Sequence, residues 1–323
     1  MDFNGITDIR SASTLRGRHI TSILDLTRDE IENIFSVASL LKQTWRNNHA
    51  AHLTLLPGRT LAMIFEKPSL RTRVTFEAGM TQLGGHAIYL APADIQLGVR
   101  ETVADVAANL SRWCDVIVAR VFEHQKIKDL ADNAKVPVIN ALSDVEHPCQ
   151  ALADFQTIRE KKGRLAGLKL AFIGDGNNVA NSLMLLASKV GLNFTIACPS
   201  GYEPLEEIVN AARGIASSNG AFVEIVHDPF EAAKGADILY TDVWASMGQE
   251  AEREERKKIF AGYQINSELL ASAKPDAIVL HCLPAHRGEE ITDDVIDGSH
   301  SAVLDEAENR LHVQKALLAM LVE

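Results

Sequence analysis

The chain has 323 residues, 46% of them hydrophobic and 23% charged, a globular composition with length enough for two domains of ordinary size. Its formal net charge of -11 argues against a nucleic-acid surface, so an anion site must be a local cluster of Arg and His suited to a small ligand. Four scattered cysteines (Cys114, Cys149, Cys198, Cys282) make neither a disulfide framework nor a zinc pattern, and there is no apolar leader or membrane-length run, which points to a soluble chain in a reducing cytoplasm.

Thr27 and Glu30 predict a capping box opening a surface helix that runs to about Gln43. The apolar run 61–65 reads as a strand, and the tight loop Pro68-Ser69-Leu70-Arg71-Thr72-Arg73 follows it. Ser69 caps the next helix, where Phe76, Met80 and Leu83 recur at helical spacing and Gly84-Gly85 supplies the stop. First-turn N–H groups, the Ser69 and Thr72 hydroxyls and the Arg71 guanidinium converge there, as a phosphate requires; the plainer alternative is a capped helix with solvated arginines. Further strands are expected at 87–90, 116–121 and 136–139, with helices at 102–113 and 125–134 between them. Residues 148–162 form an unbroken helix suited to bridging two domains. A second series of strands follows at 170–173, 194–197, 222–226, 238–240 and 277–280. The charge cluster 250–258 reads as a solvated helix face, and 307–321 as a terminal helix, with Leu311, Lys315 and Leu318 on one side, packing back on the first domain. The fold class is α/β, with two doubly wound parallel-sheet domains.

Gly174-Asp175-Gly176-Asn177-Asn178-Val179 invites a dinucleotide reading. The third glycine is missing, however, and the next strand ends in Cys198-Pro199 without an acid for a ribose, so a nicotinamide-dependent dehydrogenase is disfavoured and the two asparagines read as facing a small polar ligand. Polar groups also follow other strands: Arg120, His147-Pro148-Cys149-Gln150, the segment from Asp242 to Gly248, and His281-Cys282-Leu283-Pro284. Strand ends are where open α/β sheets bind ligands, although each group alone has a structural explanation: a surface charge, a helix start, a helix cap or a small buried thiol. Cys282 with His281 and His286 lacks complete metal-ligand spacing, and neighbours along a strand face opposite ways, so no metal is expected. Ser246 lacks a hydrolase elbow.

Taken together, these motifs resemble those of ornithine carbamoyltransferases, in the aspartate/ornithine carbamoyltransferase family, over essentially the whole chain. Ser69-Leu70-Arg71-Thr72-Arg73 is similar to the carbamoyl phosphate loop, His147-Pro148-Cys149-Gln150 to HPxQ, 242–248 to DxxxSMG and 281–284 to HCLP. One departure is Leu70, where many members carry Thr in STRTR. The resemblance implies a carbamoyl phosphate-binding domain at 1–150, with the terminal helix (about 306–323) packed on it, and an ornithine-binding domain at 151–305, joined by two interdomain helices. It implies that Ser69, Leu70, Arg71, Thr72, Gln96, Arg120, His147, Gln150, Cys282, Leu283 and Arg310 bind carbamoyl phosphate, with Gln96 reaching in from a neighbouring subunit of a trimer. Asn178, Asp242, Ser246 and Met247 would bind ornithine, while Arg120, His147, Cys282 and Thr72 serve catalysis. The implied reaction gives L-citrulline and phosphate, in arginine biosynthesis, without metal or organic cofactor. The rivals are putrescine, N-acetylornithine or aspartate as the amine, or a non-catalytic phosphometabolite-binding regulator.

Overall fold

A computed structural model describes residues 9, 13–47, 49–245 and 250–323. Helix α1 (Arg28–Asn47) opens with the expected capping box: Thr27 N donates to Glu30 Oε2 at 2.8 Å and Glu30 N to Thr27 Oγ1 at 3.3 Å. The helix runs a turn past Gln43, because Thr44-Trp45-Arg46 contains no breaker and Trp45 stacks on His49 with ring centroids 4.2 Å apart. The chain then alternates through β1 (Thr60–Phe65), α2 (Leu70–Gln82), β2 (His86–Leu90), α3 (Val103–Trp113), β3 (Val116–Arg120), α4 (His124–Asn133) and β4 (Val138–Leu142). Strand β4 begins later than the apolar pattern 136–139 suggests. Pro137 has no N–H to give a ladder and serves only as acceptor, its carbonyl taking Ile117 N at 2.8 Å.

After α5 (Pro148–Lys162) come β5 (Lys169–Ile173), α6 (Asn178–Val190), β6 (Asn193–Ala197), α7 (Glu206–Ser218), β7 (Val223–Val226), β8 (Ile238–Thr241), β9 (Ile278–His281) and α8 (Val303–Leu321). The chain divides into two units, residues 1–153 with 308–323 and residues 154–307, so that the divisions fall inside α5 and α8. Each unit holds one all-parallel sheet, ordered β2-β1-β3-β4 in the first and β7-β6-β5-β8-β9 in the second. The central strands are buried along nearly their whole length, so both of their faces are covered and they read as apolar runs rather than alternations. In unit 1 the core joins Ala62, Ile64, Ile117 and Ala119 to Val106, Ala107, Leu110, Ile127 and Leu130 from α3 and α4. Each of the fully buried larger side chains there, such as Ile64, Ile117, Ile127 and Leu130, contributes roughly 1.5–3 kcal/mol. No helix among the described residues is long and apolar enough to cross a membrane.

Sheet order determines where ligands are met. Strand order reverses between β1 and β3 in unit 1 and between β5 and β8 in unit 2. The crevice at the carboxyl ends of such a pair is the place where doubly wound sheets bind ligands. In unit 1 that position receives the Ser69 loop after β1 and Arg120 ending β3; in unit 2 it receives the Gly174 turn after β5 and Asp242 after β8.

Candidate active site

Unit 1 assembles its polar groups around the start of α2. Ser69 is extended (φ -160°) and caps the helix, its Oγ accepting from Thr72 N at 3.2 Å. Thr72 is buried and its Oγ1 accepts from Arg310 Nη2 at 3.0 Å. Both hydroxyls therefore take a hydrogen bond from the protein, which leaves each O–H as a donor to an anion. Leu70 points outward at 74% exposure, so its side chain plays no packing role and the loop presents its backbone there. Arg73 turns away from Arg71: it pairs with Glu77 at 3.1 Å and lies over the Tyr89 ring at 3.8 Å.

Arg310, on α8, is 2% exposed and donates through Nη1 to Gln150 Oε1 as well as to Thr72. Arg120, at the end of β3, and His147, just before α5, are each 5% exposed. The His147 pKa lies well below the usual imidazole range, first because burial penalises the cation and then because Arg310, Arg120 and Arg71 repel it. His147 is thus a neutral imidazole at neutral pH, and three guanidiniums act on it inside a chain of net charge -11. Gln96 is exposed and left-handed (φ 46°) at the end of the short helix Pro92–Ile95. It lines a cavity of about 310 Å³ with Ile64, Phe65, Val99, Phe122 and Lys126.

Unit 2 builds a second cluster at its own sheet edge. Asn177 caps α6, its Oδ1 accepting from Val179 N at 2.9 Å and Ala180 N at 3.1 Å, while its Nδ2 donates to Asp242 Oδ2 at 2.9 Å. Of the two asparagines read as facing a ligand, Asn177 is therefore spent on the helix end and on Asp242; Asn178 is the first residue of α6. The other Asp242 oxygen, Oδ1, takes Val243 N at 2.8 Å and the Cys282 thiol at 3.0 Å. Burial, then the Asp242 charge and its hydrogen bond, push the Cys282 thiol pKa well above its ordinary value. Cys282 is accordingly a neutral donor rather than a thiolate. Iodoacetamide is expected to label Cys282 far more slowly than a free thiol between pH 7 and 9; rapid mass-spectrometric labelling of this residue would show a reactive thiolate instead. Ser246 and Met247 lie outside the described residues.

The alternation argument separating His281 from Cys282 does not apply, because β9 ends at His281. Their ligand atoms and one Asp242 oxygen lie within 4.8 Å of one another. His281 has both nitrogens engaged, however: Nδ1 accepts from Leu283 N at 2.9 Å and Nε2 faces Glu290 Oε1 at 3.2 Å. Leu283 is held at φ 57°, a sparsely populated region for a branched residue.

Three further residues have roles that sequence reasoning missed. Arg256, read as part of a solvated face at 250–258, is 6% exposed; it donates to Asp175 Oδ2 at 3.0 Å and Trp244 O at 2.8 Å, with Tyr202 beneath it at 4.9 Å. Burial still raises the Asp175 carboxyl to about 6 despite that partner. Glu306 accepts from His281 N at 2.9 Å and from Tyr240 Oη at 3.2 Å, and burial beside Asp154 raises its pKa well above the carboxylate range. A run of charges carries no mark of which member is buried; only a partner distant in sequence reveals it. Gly176 is required by close approach, since a Cβ there would lie 2.2 Å from Pro204 N and 2.4 Å from Glu203 C. Gly176→Ala is expected to cost about 1–3 kcal/mol through overpacking against backbone; an unchanged urea midpoint would contradict this.

Comparison with known proteins adds a separate line of evidence. Residues 18–160 match the aspartate/ornithine carbamoyltransferase carbamoyl-P binding domain, and residues 166–321 match the Asp/Orn binding domain of the same family. Similar proteins include an ornithine carbamoyltransferase of Thermococcus kodakarensis, 56% identical over 309 residues, which are 96% of this chain and 98% of that protein. A solved structure of ornithine carbamoyltransferase from Pyrococcus furiosus superposes with a TM-score of 0.93 at 55% identity, covering 96% of this chain and 98% of the other. An acetylornithine transcarbamylase complexed with acetylcitrulline has a TM-score of 0.85 at 31% identity, covering 95% and 99%. Two family domains in sequence along the chain, and relatives more than half identical over nearly all of it, place this protein in the aspartate/ornithine carbamoyltransferase family.

Proposed function

We propose that this chain transfers the carbamoyl group of carbamoyl phosphate to the δ-amine of L-ornithine, giving L-citrulline and phosphate. The observation that carries the reading is the convergence of Arg71, Arg120 and Arg310 on a buried neutral His147 in an acidic protein. Such a group fits a small dianion with a carbonyl beside it. Ser69, Thr72 and the backbone at Leu70 and Arg71 hold the phosphate, and Gln150, whose Oε1 accepts from Arg310, takes the amino group of the carbamoyl moiety. As the amine attacks, charge develops on the carbonyl oxygen, and Arg120, the Thr72 hydroxyl and the His147 N–H would stabilise it as donors. Phosphate leaves with the electron pair of the C–O bond and takes up the proton that the attacking amine loses.

On the ornithine side, Asp242 pairs with the α-ammonium from a carboxylate held by Asn177, Val243 N and the Cys282 thiol. Asn178, Ser246 and Met247 complete recognition of the amino acid, and Cys282 and Leu283 orient the δ-amine. The amine attacks only when unprotonated, whereas an alkyl ammonium has a pKa near about 10, so desolvation of the bound nucleophile favours reaction. Relatives named for ornithine at 55–56% identity, against 31% for the acetylornithine enzyme, support the choice of amine. The word anabolic in the name of a Pyrococcus furiosus relative supports the biosynthetic direction. Exposure of Gln96 on a left-handed loop suits its reaching into a neighbouring subunit of a trimer.

Citrulline formation from carbamoyl phosphate, with ornithine assayed beside putrescine, N-acetylornithine and aspartate, tests the reading. Selective turnover of ornithine is the expected result; turnover of another amine removes the Asp242 assignment, and none removes the activity. If Leu70 serves through its backbone, Leu70→Thr should change the KM for carbamoyl phosphate less than about threefold, well under one lost hydrogen bond to a charged group. A tenfold fall in KM would show instead that the missing hydroxyl matters. Light scattering of the purified protein should give the mass of three chains or a multiple of three.

A further inference from the structure

The turn at 286–290 in unit 2 carries a cluster that the transfer reaction leaves unused. One ligand atom from each of His286, Glu289 and Glu290 lies within 4.8 Å of the others. Glu290 is fully buried; its Oε1 accepts from the His286 backbone N–H and faces His281 Nε2, whereas Oε2 has no hydrogen-bond partner among the described residues and lies 3.9 Å from His286 Nδ1. A carboxylate oxygen removed from water and left without a donor is costly, and a cation is what satisfies it. Glu289 meets Arg253 at 2.8 Å and Lys257 at 3.0 Å, both through Oε1. The His286 side chain is 37% exposed and supplies the path from solvent.

We propose that His286, Glu289 and Glu290 form a binding site for a divalent transition-metal ion of the zinc class. Oxygen ligands alone would suit magnesium or calcium; an imidazole with two carboxylates shifts the preference toward borderline ions. Three protein ligands with water in the remaining position make an ordinary tetrahedral shell. The neighbouring group of Asp242, His281 and Cys282 is a poorer host. Both nitrogens of His281 are engaged, and the thiol would have to lose a proton that burial and Asp242 hold in place. An ion on Glu290 ties the 286–290 turn to the carboxylate that also faces His281, and so steadies the segment bearing Cys282 and Leu283. The inference stands independently of the choice of ornithine as substrate.

The test is a titration of the purified, metal-stripped full chain with Co2+, read by its visible d–d absorption and reversed by excess Zn2+. One Co2+ per chain, without a thiolate charge-transfer band, is expected. His286→Ala should weaken binding by at least roughly tenfold while leaving metal-free citrulline formation unchanged, and Glu289→Gln should weaken it as well. Cys282→Ser should keep the band. Absence of binding to the wild-type protein overturns the proposal, as does a band that survives in H286A and disappears in C282S.

Discussion

Replacing Arg120 by Ala is expected to lower kcat for citrulline formation by about 10²–10³-fold, the cost of removing one preorganised donor from a developing oxyanion. Arg120 ends β3 at the switch point of the unit 1 sheet and is 5% exposed. The substitution has a second, separable consequence. Arg120 is one of the three charges that repel a proton from His147, so its loss should raise the imidazole pKa and move the acidic limb of the pH–rate profile upward. Arg120→Lys should rescue little, because an ammonium cannot reproduce the planar fork. Circular dichroism and the thermal midpoint establish that the fold is kept. Activity within tenfold of wild type would remove Arg120 from the reaction.

Stability of the wild-type protein is expected to rise between pH 7 and 9 by about 2 kcal/mol more than that of Lys315→Met. Lys315 on α8 is fully buried; its Nζ donates to Gln82 Oε1 at 2.9 Å, meets His52 Nδ1 at 3.1 Å and lies over the Trp45 ring at 4.4 Å. The Lys315 stem packs against Gly79, where an added Cβ would lie 3.2 Å from its Cγ. Burial lowers its pKa to about 7. The sign follows from the proton count: between about 7 and the ordinary lysine value the unfolded chain holds a proton that the folded chain has lost. Stability therefore increases with pH through that window, by roughly 1.4 kcal/mol per unit at most for a single proton. Above pH 9 the buried thiols of Cys149 and Cys198, raised to about 12, act with the opposite sign, because the unfolded state ionises first. Below pH 6.5 the burial of His52 and His312, each lowered to about 4, erodes stability as the unfolded imidazoles take up protons. Urea unfolding of both proteins at pH 7, 8 and 9 isolates the lysine; parallel curves would mean that Lys315 stays charged in the fold.

What the sequence by itself determined is local. Thr27 with Glu30, and Ser69 before α2, were legible because a cap needs partners only three residues away. The apolar runs marked the central parallel strands because those strands are buried on both faces. The family resemblance drew on contiguous motifs, and the domain models bear it out. Strand order was not legible, since the central runs of a parallel sheet are apolar alike; the tertiary structure alone showed that β1 neighbours β3 and β5 neighbours β8 where the strand order reverses. It likewise decided that Arg310 meets Thr72 and Gln150 across 238 and 160 positions of sequence, that Arg256 leaves its charged neighbours to hold Asp175, and that Lys315 lies fully buried. Those arrangements depend on which faces the packing of the whole unit closes off from water, and burial of that kind is a property of the folded neighbourhood that no local residue pattern carries.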